Sequence, residues 1–250
     1  MLFISERTQT VINRILQAIV LVYQGVAVVV FIATLTTAGE WLRAPFIGGF
    51  FEHTLVLNGS DTSEEGKSWQ MYQKGFDVGD QLIAVDGVPV ENSLQLKEIL
   101  ASHTVNDTID VVIRTTDGAE KTAVIQLQEF SSADRTAYFI IPELLALVFL
   151  IVSLWIFGLR RTEPAGRAFS IFTSSLAIIV GGLFDLYTSH QFTYIWTLAL
   201  GLAGGAFIDL GLGFPQEVRT VIGRPYLRWI GYGLGIVLFL NAFGTLFNLN

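Results

Sequence analysis

Gly75-Phe76-Asp77-Val78-Gly79-Asp80-Gln81-Leu82-Ile83-Ala84-Val85-Asp86-Gly87-Val88-Pro89-Val90 reads as turn, strand and turn within sixteen residues. Val78-Gly79-Asp80 supplies turn chemistry. Leu82–Val85 is a short apolar run bounded by turn signals, which predicts a buried strand. Asp86-Gly87 is a tight-turn dipeptide, because the favoured hairpin turn needs positive φ at its central positions. Pro89 has no N–H to give a ladder and suits an edge or a turn. Asn92 or Ser93 then caps a short helix over Ser93–Leu100, and Asn92 with Gln95 has the capping-box spacing. Leu96, Ile99 and Leu100 fall on one face of it. A strand over Ile109–Arg114, an Asp117-Gly118 turn and a strand over Thr122–Leu127 read as a hairpin. Upstream, the polar stretch Asn58–Lys67 reads as a loop.

This module sits in an acidic region. Residues 39–136 carry seven Lys and Arg against sixteen Asp and Glu, a net charge of −9. The 250-residue chain as a whole is −7, with 52% hydrophobic and only 15% charged residues. A soluble domain carries about 25% charged residues. That balance argues against a uniform soluble globule and excludes a disordered tail. No basic field invites nucleic acid. Cysteine is absent, which removes disulfides, thiolate catalysis and Cys-based zinc sites.

The Gly-Phe-x-x-Gly-Asp-x-Leu-Ile-x-Val-Asp-Gly-x-Pro-Val string, followed by a capped helix and a hairpin, resembles a PDZ domain of the bacterial type over about residues 46–129. The resemblance implies a small, partly open β-barrel. It also implies that a peptide or protein C-terminus adds as a strand beside Ser93–Leu100, with Ser93, Leu96, Lys97 and Leu100 as helix-side contacts. The family's carboxylate loop reads Gly-Φ-Gly-Φ. Ile47-Gly48-Gly49-Phe50 is the nearest stretch, with its glycines shifted. Two readings stand for it: bare N–H groups holding a carboxylate, or a Gly-rich turn. For the whole domain the alternative is a folded spacer that binds nothing.

The flanks are apolar runs of membrane-spanning length, about 20 residues each. Five stretches qualify: Ile15–Thr37, Tyr138–Phe157, Ala168–Leu186, Phe192–Leu212 and Leu227–Phe247. The first is too long for the apolar core of a cleaved leader and reads as a retained signal anchor. The expected architecture is a multi-pass α-helical membrane protein with an inserted extracytoplasmic PDZ-like α+β domain. Residues 1–38 hold the N-terminus and first span, residues 39–136 the domain, and residues 137–250 the remaining spans. With the N-terminus inside, Arg7, Arg14, Arg160, Arg161, Arg167, Arg219, Arg224 and Arg228 all lie on the cytoplasmic side. Trp41, Tyr138, Tyr187 and Tyr194 then mark the outer interface, and Trp155 and Trp229 the inner one. The chain stops three residues after the fifth stretch with no polar tail, which reads as a truncation.

Ionisable groups within spans are functional candidates. Glu143, Asp185 and Asp209 qualify. Asp185 reads as an interface acid. Asp209 and Glu143 stay open between a functional role and an interface role, with Arg160, Arg161 or Arg167 as partner for Asp209. Gly201 with Gly205, and Gly231 with Gly235, have the Gly-x-x-x-Gly spacing that lets helix backbones approach. Packing within one bundle and homodimerisation are the two readings. Phe214-Pro215 is expected to end the fourth span.

No His-Glu-x-x-His, Gly-x-Ser-x-Gly or phosphate-loop pattern occurs. No catalytic group, metal or cofactor is expected for this segment. Span, PDZ-like domain and bundle together resemble the N-terminal sensor region of bacterial histidine kinases of the competence and quorum-sensing kind. The Gly204–Pro215 stretch resembles the small-residue and Phe-Pro ending of such sensors. The expected function is a signal-input module of the cytoplasmic membrane, with membrane lipid and an extracellular peptide or protein terminus as partners. The alternative is a non-catalytic PDZ scaffold or protease partner of the cell envelope. A transporter has little support without inverted repeats.

Overall fold

The computed structural model describes residues 6–58, 69–213 and 224–246. The elements, in chain order, are α1 (Glu6–Trp41), α2 (Gln70–Gln73), β1 (Gln81–Val85), β2 (Val88–Pro89), α3 (Ser93–Leu100), β3 (Thr108–Arg114), β4 (Glu120–Gln126) and α4 (Ser132–Arg135). A π-helical turn, Thr136–Ile140, leads into α5 (Ile141–Arg160). Then come α6 (Pro164–Gly181), α7 (Leu183–Tyr187), α8 (Thr193–Gly213), a 3-10 turn (Pro225–Leu227) and α9 (Arg228–Leu246). The chain divides into two compact units.

The first unit takes residues 34–141 together with Leu183–Gln191. Its sheet is antiparallel in the order β2-β1-β3-β4. Asp86 and Gly87 have φ of 50° and 75°, so the Asp-Gly turn joins Val85 to Val88 with both central residues left-handed, as the dipeptide predicts. Asp80 is buried at 4% exposure and ties two turns together. Its Oδ2 accepts from the Asp77 amide at 3.0 Å and its Oδ1 from the Thr116 amide at 3.1 Å. The Asn92 side chain accepts from the Leu94 and Gln95 amides, and the Gln95 side chain accepts from the Glu91 amide. Such a cap contributes about 1 kcal/mol. In the β3–β4 turn the Thr115 hydroxyl, then the Ala119 amide, donate to Asp117 and hold its carboxyl below the usual range.

Two clusters form the interior. Leu82, Val85, Ile109, Val111, Ile113 and Ile125 from the sheet pack with Leu96 and Leu100 of α3. Alternation along β3 puts every second residue inside. The second cluster is aromatic: Phe46, Phe50, Trp69, Phe130 and Phe184, edged by Trp41, Tyr138 and Tyr187. Asn58 ends a described segment, and the rest of the expected Asn58–Lys67 loop lies outside the described residues.

The second unit takes the described parts of residues 1–33, 142–182 and 192–250. A polar cluster lies inside it: Gln24 donates to Ser153 at 2.8 Å, Ser153 bonds Ser174 at 2.7 Å, and Tyr23 bonds Ser175 at 2.8 Å. Apolar surroundings make such buried polar groups find partners.

Four helices are long and apolar enough to cross a membrane: Arg7–Trp41, Ser132–Arg160, Pro164–Tyr187 and Thr193–Gly213. Length and apolarity suggest membrane association. Four of the five expected stretches coincide with these helices. The fifth stretch, Leu227–Phe247, carries the 19-residue α9, and Phe247 lies outside the described residues. The third stretch breaks after Gly181, and α7 joins the other unit rather than continuing α6. Phe214-Pro215 also lies outside the described residues, and α8 ends at Gly213.

Candidate functional site

A groove of about 310 Å³ opens in the first unit between the segment Phe46–His53 and helix α3. Of the eight residues proposed from sequence for peptide contact, Ile47, Gly49, Phe50, Ser93, Leu96, Lys97 and Leu100 all line it. Gly48 does not. It has φ of 86°, and a Cβ there would stand 2.6 Å from the Gln70 amide nitrogen. Gly49 backs onto core, where a Cβ would meet Leu57 at 2.7 Å. Close packing therefore gives a reason for glycine at both positions.

The backbone of this segment divides its hydrogen bonds unevenly. Phe46 exchanges both bonds with Gln128, at 2.8 and 3.0 Å. Gly48 O accepts from Met71, Phe50 O accepts from Asn58, and Glu52 N donates to Val56. The amides of Ile47, Gly49 and Phe51 have no protein acceptor among the described residues. All three residues line the groove. Unpaired amides on a strand-like edge are a template for an added chain.

The groove is also lined by residues that pattern reading did not single out. His190, at φ 55°, has its Nε2 2.9 Å from the Phe51 carbonyl. Its ring lies 6.2 Å from that of His53, whose Nδ1 is 3.1 Å from the Ser93 hydroxyl. Asp185 sets this turn. Its carboxylate accepts from the Ser189 hydroxyl and the Gln191 amide, and its carbonyl from the amides of Thr188, Ser189 and His190. The acid read as an interface residue thus positions a groove residue. Sequence carried a faint signal for this, since the chain has only three histidines.

The other polar candidates belong to the second unit. Glu143 is buried at 6% exposure, and its Oε2 is 3.5 Å from where a Gly181 Cβ would stand. Asp209 pairs with Arg228 at 3.7 Å and accepts from the Tyr232 hydroxyl at 3.4 Å. Its contact within 4 Å is thus Arg228, and of the three arginines offered by the sequence Arg167 lines the same cavity and interacts with it through charge. Gly201 and Gly205 of α8 face Gly235, Gly231 and Tyr232 of α9 at backbone distance, within one chain. The small-residue stripes are used in packing α8 on α9.

No protein-family model matches the chain, and a comparison with curated proteins finds no relative.

Proposed function

We propose that the groove receives the C-terminal end of an extended peptide, in the manner of a PDZ-like domain, and that the chain is a membrane-bound input module. The observation that carries this reading is the row of amides at Ile47, Gly49 and Phe51 opposite the apolar wall of Leu96 and Leu100. Added-strand binding needs main-chain donors on one side and pockets for side chains on the other. The Phe51 carbonyl, held by His190, is the acceptor an added strand would use.

Peptides with a free C-terminal carboxylate should bind the detergent-solubilised chain at least tenfold more tightly than the same peptides amidated. A charge-assisted hydrogen bond contributes about 1.5–3 kcal/mol, which is roughly tenfold or more in affinity. Ser93→Trp should block binding by filling the groove, and His190→Ala should strengthen it by releasing the Phe51 carbonyl. Fluorescence polarisation with a random C-terminal peptide pool reads all of this. Equal affinity for acid and amide peptides, or no binding to either, would remove the peptide reading and leave a folded spacer.

The membrane reading places the domain outside and the Arg-rich connections inside, following the distribution of Arg160, Arg161, Arg167 and Arg228. The absence of cysteine makes this directly testable. In intact cells an impermeant maleimide should label Lys121→Cys and spare Glu163→Cys. The opposite pattern would reverse the topology. The scaffold or protease-partner reading shares this groove and this topology. A signalling role differs in requiring that the ligand bind two states of the bundle unequally.

A further inference from the structure

A second cavity, about 620 Å³, lies within the other unit, lined by residues of α1, α6, α8 and α9. Such a volume is typical of small-molecule sites. Its walls are apolar, with Leu16, Ile19, Ile171, Leu202 and Ile236 among them. Its polar lining is concentrated in Arg167, Asp209, Arg228 and Tyr232. Among the described lining residues, two guanidiniums stand with one carboxylate.

Arg167 is 8% exposed. Its Nη1 donates to the carbonyls of Arg161 and Thr162, at 3.2 and 3.0 Å, which fixes it at the turn between α5 and α6. Its Nε and Nη2 have no protein acceptor among the described residues. Asp209 attracts Arg167 through its charge but is engaged at closer range by Arg228 and Tyr232, so one carboxylate serves two guanidiniums among the described residues. A guanidinium held in an apolar cavity is costly unless an anion meets it. The site therefore has a fixed cation, spare donors and an apolar lining beside them.

We propose that this cavity binds one anionic phospholipid, its phosphate against Arg167 and Arg228 and an acyl chain against the apolar walls. Charge selects the head group, since a guanidinium fork matches phosphate oxygens. Basic pockets between membrane helices hold anionic head groups on this principle. A soluble anion would satisfy the charge but leave the apolar walls empty, so an amphiphile is the better occupant. The inference rests on the membrane reading of the apolar helices and is independent of the peptide groove.

Native mass spectrometry of the whole chain, purified in detergent and offered equal phosphatidylglycerol and phosphatidylcholine, tests it. One phosphatidylglycerol per chain should be retained, at least tenfold over phosphatidylcholine. Arg167→Gln should abolish that preference. Because Arg167 also tethers a turn, Gly233→Leu is the companion variant. Gly233 lines the cavity and a Cβ there meets no atom within 4 Å, so leucine occupies the space with the charges intact. It should lose the bound lipid while unfolding at the wild-type temperature. Equal retention of the two lipids, or full retention by Gly233→Leu, overturns the proposal. So does displacement of the lipid by 10 mM inorganic phosphate, which would make the site one for a free anion. A chain that leaves the membrane in a carbonate wash overturns the membrane reading and the proposal with it. Lipid non-selectivity in a chain that stays in the membrane overturns only the site.

Discussion

Gly205→Leu should strip α9 from the bundle, while Gly204→Leu one residue earlier should be almost silent. A Cβ at Gly205 would stand 2.8 Å from the Tyr232 Cα and amide nitrogen. At Gly204 it would meet nothing within 4 Å. The same contrast holds along the stripe. A Cβ on Gly201 would lie 2.5 Å from the Gly235 carbonyl oxygen, and one on Gly235 would run into that of Gly201. These obstacles are main chain, which cannot rotate away as a side chain does. Overpacking typically costs 1–3 kcal/mol, and a backbone obstacle places Gly205→Leu at about 3 kcal/mol or more. In a chain of this size that is a fall of roughly 10 °C in Tm. Thermal unfolding of the four single leucine variants in one detergent is the measurement. Equal Tm for the 204 and 205 variants would mean that α8 and α9 do not approach through their glycines. The reason for the glycines is that, among apolar surroundings, helices associate by close packing rather than by expelling water.

Trp69→Ala should be the most damaging single truncation in the groove-bearing unit. Trp69 is 2% exposed, and its ring centroid lies 5.1 Å from that of Phe46 and 5.0 Å from that of Phe50, edge to face in both cases. Its indole N–H donates to Asp134 Oδ2 at 3.0 Å. Removing a buried aromatic side chain costs about 3–5 kcal/mol. Asp134, itself 4% exposed, loses this donor but keeps the Ser131 hydroxyl on the same oxygen at 2.7 Å, so the loss adds about 1 kcal/mol. Trp69→Phe keeps most of the packing and loses the donor, so it separates the two contributions. Phe46 and Phe50 line the groove and also touch Trp69. Trp69→Ala should therefore weaken peptide binding as well as lower Tm, whereas Trp69→Phe should mainly lower Tm. A Trp69→Ala protein within 0.5 kcal/mol of wild type would show that the aromatic cluster is not core.

How far the site was legible depends on the range of each interaction. The Asp86-Gly87 turn, the Asn92 cap and helix Ser93–Leu100 rest on residues two to four apart, and each appears where the pattern put it. Seven of the eight proposed groove residues line one cavity, yet the spacing alone did not reveal why two glycines stand at 48 and 49. Their neighbours, Gln70, Leu57 and Met71, come from other parts of the chain. The pattern offers Arg160, Arg161 and Arg167 as partners of Asp209; Arg167 shares its cavity, while the contact within 4 Å is made by Arg228. That choice follows from α8 and α9 approaching through glycine.

Apolar run length, turn dipeptides and caps are properties of contiguous residues. They specified the long apolar helices, the small antiparallel sheet and the helix beside the groove before any packing was known. The place of His190 in the groove lining, where it meets a carbonyl 139 residues away, is a different matter. So are the assignment of Leu183–Leu186, the end of the third apolar stretch, to the other unit and the gathering of Arg167, Asp209, Arg228 and Tyr232 around one cavity. Each depends on which distant surfaces fit at close range. Fit is a property of many side chains at once, and local periodicity contains no record of it.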